Sequence, residues 1–418
     1  MVLFRPLMQL ASASMFAQII SFCVMPFITR LHTTDSLGKY QFFATSALIL
    51  IPFISGSFTY AIKNSQSNYR ALINLKLAVQ FSFIGLILLF SCLPILILLL
   101  RSRIDWFIPY LPLLFIFVYL SANFQFATAL LINNRNYNTQ SAYTVSKSII
   151  SNLFKLIFSF YSKSGFSLVL ALIVTELFQV LRIISHNYRG IFKFLIKFKW
   201  YRFKSELSNN KVYPTYVTMT SVLGILMNWF PILITGILYG PKYTGLLGLA
   251  FMVVNTPIYP FIAALQNVCF GELGKDRTRH RMIIIYMKSM IISLIPSICG
   301  LYILGLYGER LFILIFGEDW GEAGKYAFIC FIPIALSFIL SPIYNTLNHF
   351  FSFQKVFFWI NLLFLLIGFS VTFYIGYESY DFELFLLAFA LTMIASHLVL
   401  FFVSIFLYLA EEKKGFLK

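Results

Sequence analysis

The sequence predicts an all-α integral membrane protein with about twelve transmembrane helices in two six-helix bundles around a central cavity. Three observations carry this. Of 418 residues, 60% are hydrophobic and 11% charged, with a mean hydropathy of +0.83, whereas a soluble domain carries about 45–50% apolar and about 25% charged residues. The chain contains a succession of apolar runs, each matching the ~20 residues a helix needs to cross hydrocarbon. These runs are continuous rather than alternating, which excludes the short strands of a membrane β-barrel.

The first run, 10–30, follows Arg5, yet its small-residue triplet Ala11-Ser12-Ala13 precedes the long apolar stretch instead of following it, so it is a retained helix and not a cleaved signal. Runs at 40–61, 74–99 and 107–131 follow, and 140–161 and 165–186 form a tight hairpin turning near Lys163. After a long polar interruption come 214–239, 243–267, 282–305, 325–347, 356–376 and 383–409. Pro26, Pro52, Pro231, Pro257 and Pro260 fall in the first, second, seventh and eighth runs, where each removes a helix hydrogen bond and permits either a static kink or bending.

Charge sets the expected orientation. With the N-terminus in the cytoplasm, twenty Lys and Arg fall in inner segments and eight in outer ones, which also hold Glu309, Glu318, Asp319, Glu322, Glu378, Asp381 and Glu383. The positive-inside rule therefore places both termini in the cytoplasm. A basic excess in so apolar a chain points to anionic lipid before nucleic acid. Cys23, Cys92, Cys269, Cys299 and Cys330 stand singly in apolar surroundings and read as small core hydrophobes, and no metal or cofactor is expected.

The polar interruption suggests a division into an N-terminal bundle (1–188), a basic connector (189–213) and a C-terminal bundle (214–418). Landmarks recur across it at a nearly constant offset: Ile28-Thr29 with Ile234-Thr235, Gly38 with Gly245, Pro52-Phe53-Ile54 with Pro260-Phe261-Ile262, and Asp105-Trp106 with Asp319-Trp320. Two even-spanned halves enter the membrane in the same sense, as in parallel repeats. The connector reads either as a basic collar that draws an anionic lipid-linked substrate to the cytoplasmic mouth or as an interfacial helix, with Lys193, Lys197 and Lys204 on anionic headgroups and Phe192, Leu195, Trp200 and Phe203 in the acyl boundary.

Charges inside spans cost roughly 2.5–3.5 kcal/mol each near a helix centre and are usually functional. Lys147, Lys155, Glu176 and Arg182 are such charges, with Lys288 nearer a cytoplasmic end. Lys147 and Lys155 lie about 80° and ~12 Å apart on one helix, and reflection about Lys163 puts Glu176 between them in depth. They form either a cationic lumen for a phosphate-bearing substrate or a structural Lys–Glu pair, while Arg182 and Lys288 suit snorkelling to headgroups. Gln18, Asn123, Gln125, Asn228, Asn255, Gln266, Asn345, Asn348 and Asn361 offer hydrogen bonds either to sugar hydroxyls or between helices. His349 and His397 stand alone and read as core or interfacial residues.

The opening run ASASMFAQIISFCVMPFITRLHTTDSLGKYQFF, with Arg30 closing the first span and Asp35-x-x-Gly38-x-Tyr40 opening the second, resembles the polysaccharide-transporter branch of the multidrug/oligosaccharidyl-lipid/polysaccharide (MOP) flippase superfamily. LFILIFGEDWGEAGKYAFI at 311–329 is similar to that family's loop before the tenth span. The resemblance implies an O-antigen-type flippase carrying an undecaprenyl-pyrophosphate-linked oligosaccharide across the bacterial inner membrane. It also implies a cationic cavity between two lobes, for which Lys147, Lys155, Arg30, Arg182 and Lys288 are available, and ion or proton coupling, for which Glu176 is available. Membrane lipids, a polysaccharide polymerase and a chain-length regulator are the implied partners. A multidrug exporter of the same superfamily and, less well supported, a polymerase using Glu318-Asp319 are the alternatives. An ATPase is excluded, because Gly324-Lys325 is followed by Tyr326 and has Asp319 where a phosphate loop needs glycine.

Overall fold

The computed structural model describes residues 4–101, 103–187, 199–275, 279–351, 353–378 and 381–413. Each apolar run predicted from the sequence falls on a helix. Among the described residues, eleven helical segments are long and apolar enough to cross a membrane. The exception is the fifth expected span, Tyr137–Tyr161, where Lys147, Lys155 and a series of Ser, Thr and Asn side chains dilute the hydropathy. By packing, the chain resolves into two compact units, residues 1–245 and 246–418.

The first unit contains α1 (Phe4–Leu31), α2 (Thr34–Ser55), α3 (Phe58–Lys63), α4 (Asn68–Leu100), α5 (Leu111–Asn133), α6 (Tyr137–Tyr161), α7 (Gly165–Asn187), α8 (Trp200–Asn209) and α9 (Thr218–Leu238). The second expected span is not continuous. Gly56 and Ser57 both take left-handed conformations, with φ of 51° and 50°, and split it into α2 and the short α3. The core is aromatic, with Phe42 edge-on to Trp106 and Phe107 at centroid distances of 5.2 and 4.7 Å. Such edge-to-face pairs match ring edges to the negative faces of their neighbours.

α6 is held by a polar seam instead. Gln9 Nε2 donates to Asn138 Oδ1. Ser148 Oγ donates to the Ala17 carbonyl at 2.7 Å, and Asn152 Nδ2 donates to Ser21 Oγ at 3.0 Å. His32 Nε2 and Ser159 Oγ are 2.7 Å apart. The partners keep a nearly constant sequence separation of 127–131 residues, so α1 and α6 run parallel. Polar side chains bonding across helices replace the hydrophobic driving force that lipid cannot supply.

Of the connector, residues 188–198, including Phe192, Lys193, Leu195 and Lys197, lie outside the described residues. Its described helix α8 docks on the first unit. Phe203 is buried in the aliphatic and aromatic core instead of facing the acyl boundary, and Arg70 NH2 lies 3.0 Å from Glu206 Oε2. Trp200 and Tyr201 are exposed beside Lys199, Arg202 and Lys204.

α10 (Gly240–Lys275) crosses from the first unit into the second, which also holds α11 (Arg279–Phe316), α12 (Gly321–Phe351), α13 (Gln354–Glu378) and α14 (Phe382–Lys413). α11 runs eleven residues beyond the expected end of its span, leaving only Gly317 and the turn Glu318–Trp320 between it and α12. Gly308 and Gly324 permit this: a Cβ on Gly324 would lie 2.4 Å from the Gly308 carbonyl oxygen. The loop expected before α12 is thereby reduced to a turn that carries Glu318 and Asp319. Two further expectations change. Cys23, Cys92 and Cys299 are exposed on their helices, and only Cys269 and Cys330 are core residues. Prolines also lie within α4 (Pro94), α11 (Pro296) and α12 (Pro333, Pro342), so intrahelical proline does not single out the first, second, seventh and eighth spans.

Candidate functional site

The buried charge lies where α5, α6 and α7 meet. Glu176 points from α7 into the first unit with 3% of its side chain exposed, and Lys147 Nζ of α6 approaches its Oε1 to 2.5 Å. Ser121 Oγ of α5 donates to the same oxygen at 2.6 Å. The ammonium also stands 4.2 Å from the centroid of the Phe124 ring, so a carboxylate and a π face neutralise it together. Lys147 keeps about a third of its side chain exposed, at 32%. Glu176 Oε2 is buried with no hydrogen-bond partner among the described residues. The arrangement is therefore a buried carboxylate beside a partly accessible ammonium, with one carboxylate oxygen engaged twice and the other not hydrogen-bonded among the described residues.

The hairpin's antiparallel register continues along the C-terminal half of α7. Gln179 Nε2 donates to Ser146 Oγ at 3.4 Å, and Arg182 NH1 donates to the same hydroxyl at 3.1 Å, with its guanidinium carbon 5.3 Å from the Tyr143 ring centroid. Arg182 is exposed, but it is fixed to α6 rather than simply reaching for a headgroup. One helical face thus carries Glu176, Gln179 and Arg182 at spacings of three residues.

Lys155 does not join the Lys147–Glu176 pair. Its ammonium lies 5.1 Å from the centroid of the Tyr40 ring on α2, partly buried, and its carbonyl accepts from Ser159 Oγ at 2.5 Å. The two lysines therefore mark separate levels of α6. Arg30 is exposed at the end of α1, and Lys288 is exposed on α11 in the second unit. Asn123 and Asn228 bond back to their own helices, through the carbonyls of Tyr119 and Gly224 at 2.8 Å each. Gln18, Asn255 and Asn348 each keep a buried oxygen without a partner among the described residues. His397 is not solitary, since its Nδ1 lies 3.1 Å from Tyr344 Oη and the rings stack. The side chain of His349 lies outside the described residues.

Sequence reasoning missed Ser121, Phe124, Tyr40 and the His32–Ser159 contact. Gln179 carried a signal, being three residues from Glu176. Ser121 and Phe124 carried none, because only the packing of α5 on the hairpin brings them near the charge.

Residues 63–325 match the model of a family described as polysaccharide biosynthesis protein. The chain belongs to that family. No curated protein sequence matches it. Its fold is that of the MOP superfamily. The lipid II flippase MurJ, in an inward closed conformation, superposes with a TM-score of 0.69 at 16% identity, over 94% of this chain and 87% of that one. An inward-facing multidrug resistance MATE family transporter of the MOP superfamily gives a TM-score of 0.62 at 14% identity, over 98% and 97%. A MOP superfamily transporter from Pyrococcus furiosus, described as having a binding pocket of reversed polarity, gives 0.51 at 13%, over 96% and 94%. The protein is a multi-pass membrane member of the polysaccharide biosynthesis family with a transporter fold.

Proposed function

We propose that this protein flips an undecaprenyl-pyrophosphate-linked oligosaccharide, the repeat unit of an O-antigen or similar surface polysaccharide, from the cytoplasmic to the periplasmic leaflet by alternating access. The reading places it in the bacterial inner membrane with both termini cytoplasmic, passing its cargo to a polysaccharide polymerase and chain-length regulator. The observation that carries it is the pair of intramembrane cations on α6, Lys147 and Lys155, in a chain of the polysaccharide biosynthesis family.

Both lysines act by charge, with no covalent chemistry. A pyrophosphate offers charge-assisted acceptors to an ammonium, but Glu176 already occupies Lys147. Protonation of Glu176 at its unpartnered oxygen removes the charge that holds Lys147, so proton entry and phosphate release or capture are linked through one contact. Arg30, Arg182 and Lys288 supply further positive charge along the route. Binding at each level stays modest, because a substrate held much more tightly in one state is not passed to the other.

In cells lacking their own flippase, the native chain restores surface polysaccharide. The Lys147→Ala/Lys155→Ala variant, scored per unit of protein in the membrane, accumulates lipid-linked repeat units on the cytoplasmic leaflet, and Lys→Arg retains more activity than Lys→Ala at each position. Normal surface polysaccharide from the double alanine variant overturns the cationic mechanism. Restored drug resistance in place of polysaccharide identifies an exporter, and altered chain length identifies a polymerase.

A further inference from the structure

The second unit contains a crevice of about 250 Å³ formed wholly by α11, α12 and α14. Its floor is Met282 and Ile343, its walls include Met290, Tyr286 and Phe401, and Met287 stands exposed at its mouth. Three of the chain's eleven methionines line this one space. Flexible thioethers fit irregular chains and make favourable contacts with π systems. The Tyr286 hydroxyl is buried in the wall without a hydrogen-bond partner among the described residues.

The position is also informative. Met282 to Met290 occupy the stretch of α11 about 5–17 Å from its start at Arg279, and Leu409 of α14 lies near the other end of the chain, in the last turns of a helix that ends at Lys413. Both helix ends belong to the Lys- and Arg-rich side that the positive-inside rule puts in the cytoplasm. The crevice therefore sits at the depth of the leaflet from which the proposed substrate enters. By proportion to a cavity of about 150 Å³ that holds benzene, it takes roughly ten carbons, a stretch of chain and not a whole lipid.

We propose that this crevice grips the isoprenoid tail of the lipid carrier, an inference that rests on the flippase reading above. Roughly ten carbons amount to two isoprene units. An isoprenoid repeats a double bond in every unit, giving the thioethers of Met282, Met287 and Met290 polarisable π faces to meet, whereas a saturated acyl chain gives them none. Exposed Lys288, next to Met287 in sequence, puts positive charge beside the mouth, where the anionic end of such a lipid would lie.

The test uses the full-length protein in nanodiscs and a diazirine-bearing farnesyl diphosphate as the probe. Photolabelling should map to the Met282–Met290 segment and to α14, and unlabelled farnesyl diphosphate should suppress it while phosphatidylglycerol with saturated chains does not. Met287→Trp, which fills the mouth, should lower labelling about tenfold and should also lower surface polysaccharide, whereas Tyr286→Phe, which keeps the shape and removes only a hydroxyl turned away from the space, should leave labelling unchanged. Lys155→Ala, which leaves the Lys147–Glu176 pair intact, should lower flipping and keep the label. No labelling of these segments, equal suppression by phosphatidylglycerol, or full labelling of Met287→Trp overturns the inference. Failure of the native chain to restore surface polysaccharide, with crevice labelling intact, overturns the flippase reading and leaves the isoprenoid site standing.

Discussion

Gly38 and Gly245 meet backbone to backbone, and they do so reciprocally. A Cβ on Gly38 would stand 1.7 Å from the carbonyl oxygen of Pro241, four residues before Gly245, and one on Gly245 would stand 2.0 Å from the carbonyl oxygen of Thr34, four residues before Gly38. Each glycine thus faces the same position relative to the other, the pattern of a contact across a two-fold axis. These are also the residues that recur at a constant offset in the sequence. A repeat that duplicates a small residue and then packs the two copies together explains why neither position admits a side chain.

Gly38→Ala and Gly245→Ala should each be strongly destabilising, because the added methyl meets backbone and cannot be relieved by turning a side chain. Overpacking costs about 1–3 kcal/mol where the surroundings can shift, and a carbonyl on a crossing helix shifts least. Gly224→Ala is the control, since a Cβ there meets nothing within 4 Å and removal of a helical glycine stabilises by about 1 kcal/mol. Thermal unfolding of the detergent-purified variants, followed by tryptophan fluorescence, separates the two classes. Equal melting temperatures for all three variants would show that the crossing is loose.

The Lys147–Glu176 pair should break asymmetrically. Lys147→Met strands a carboxylate that is only 3% exposed, at a cost of about 3–5 kcal/mol. Glu176→Leu strands an ammonium that is 32% exposed, which can turn outward and retain the Phe124 ring, and so costs less. Replacing both with Met and Leu should restore most of the stability while flipping remains lost, a result that a merely structural pair would not give. Melting temperature and surface polysaccharide, measured on the same three variants, decide the matter. Full flipping by the doubly apolar variant would make the pair structural.

The helices were legible because lipid imposes one requirement on every span, and apolar length reports it directly. The fifth span was legible as a helix despite its polarity because it forms a tight hairpin with the sixth, turning near Lys163. The break at Gly56–Ser57 was not, since Pro52-Phe53-Ile54 and the apolar residues after it continue the hydropathy without interruption. Nor was the extension of α11 to Phe316, where Glu309 and Arg310 read as loop and only the fit of Gly308 to Gly324 shows that the helix goes on. At the site, reflection about Lys163 put Glu176 between Lys147 and Lys155 in depth and left open which lysine it meets; the packing of α6 on α7 brings it to Lys147. The separate fate of Lys155 depended on Tyr40, which approaches from α2 and has no sequence relation to the hairpin.

His32 should make the outer end of the α1–α6 seam sensitive to acid. Burial lowers its pKa below the ordinary imidazole value of 6.5, the backbone of Lys163 opposes this in part, and the Lys163 charge adds to the lowering. The folded protein therefore prefers the neutral ring. Its contribution is fully present above pH 6.5 and is lost as pH falls below that value toward the lowered folded pKa, because the unfolded chain binds the proton first. Arg30 on α1, Asp35 and Lys39 on α2, and Lys147 and Lys155 on α6 are further charges on the elements around it. The melting temperature of the native protein should fall on acidification below about pH 6.5, and the slope should be shallower for His32→Gln. An identical slope in that variant would assign the acid sensitivity elsewhere.

Two arguments that do not share assumptions support the expected membrane topology, the first giving its orientation and the second the parity of its crossings. Charge puts twenty Lys and Arg on one side against eight on the other, and the α1–α6 seam keeps a nearly constant separation of 127–131 residues between partners. Parallel first and fifth spans require an even number of crossings to return the chain, which is what alternating spans provide. Position 200, where Trp200 is exposed on α8, should then be cytoplasmic, and position 319, where Asp319 is exposed in the turn between α11 and α12, should be on the outer side. Trp200→Cys and Asp319→Cys, each made in a background with the five native cysteines replaced, should react with a membrane-impermeant maleimide from opposite faces. The Trp200→Cys thiol should be reached only in inverted vesicles, and the Asp319→Cys thiol in intact spheroplasts. Labelling of both from one face would mean that the number of crossings between them is even, and the alternating assignment of α9 to α11 would have to be redrawn.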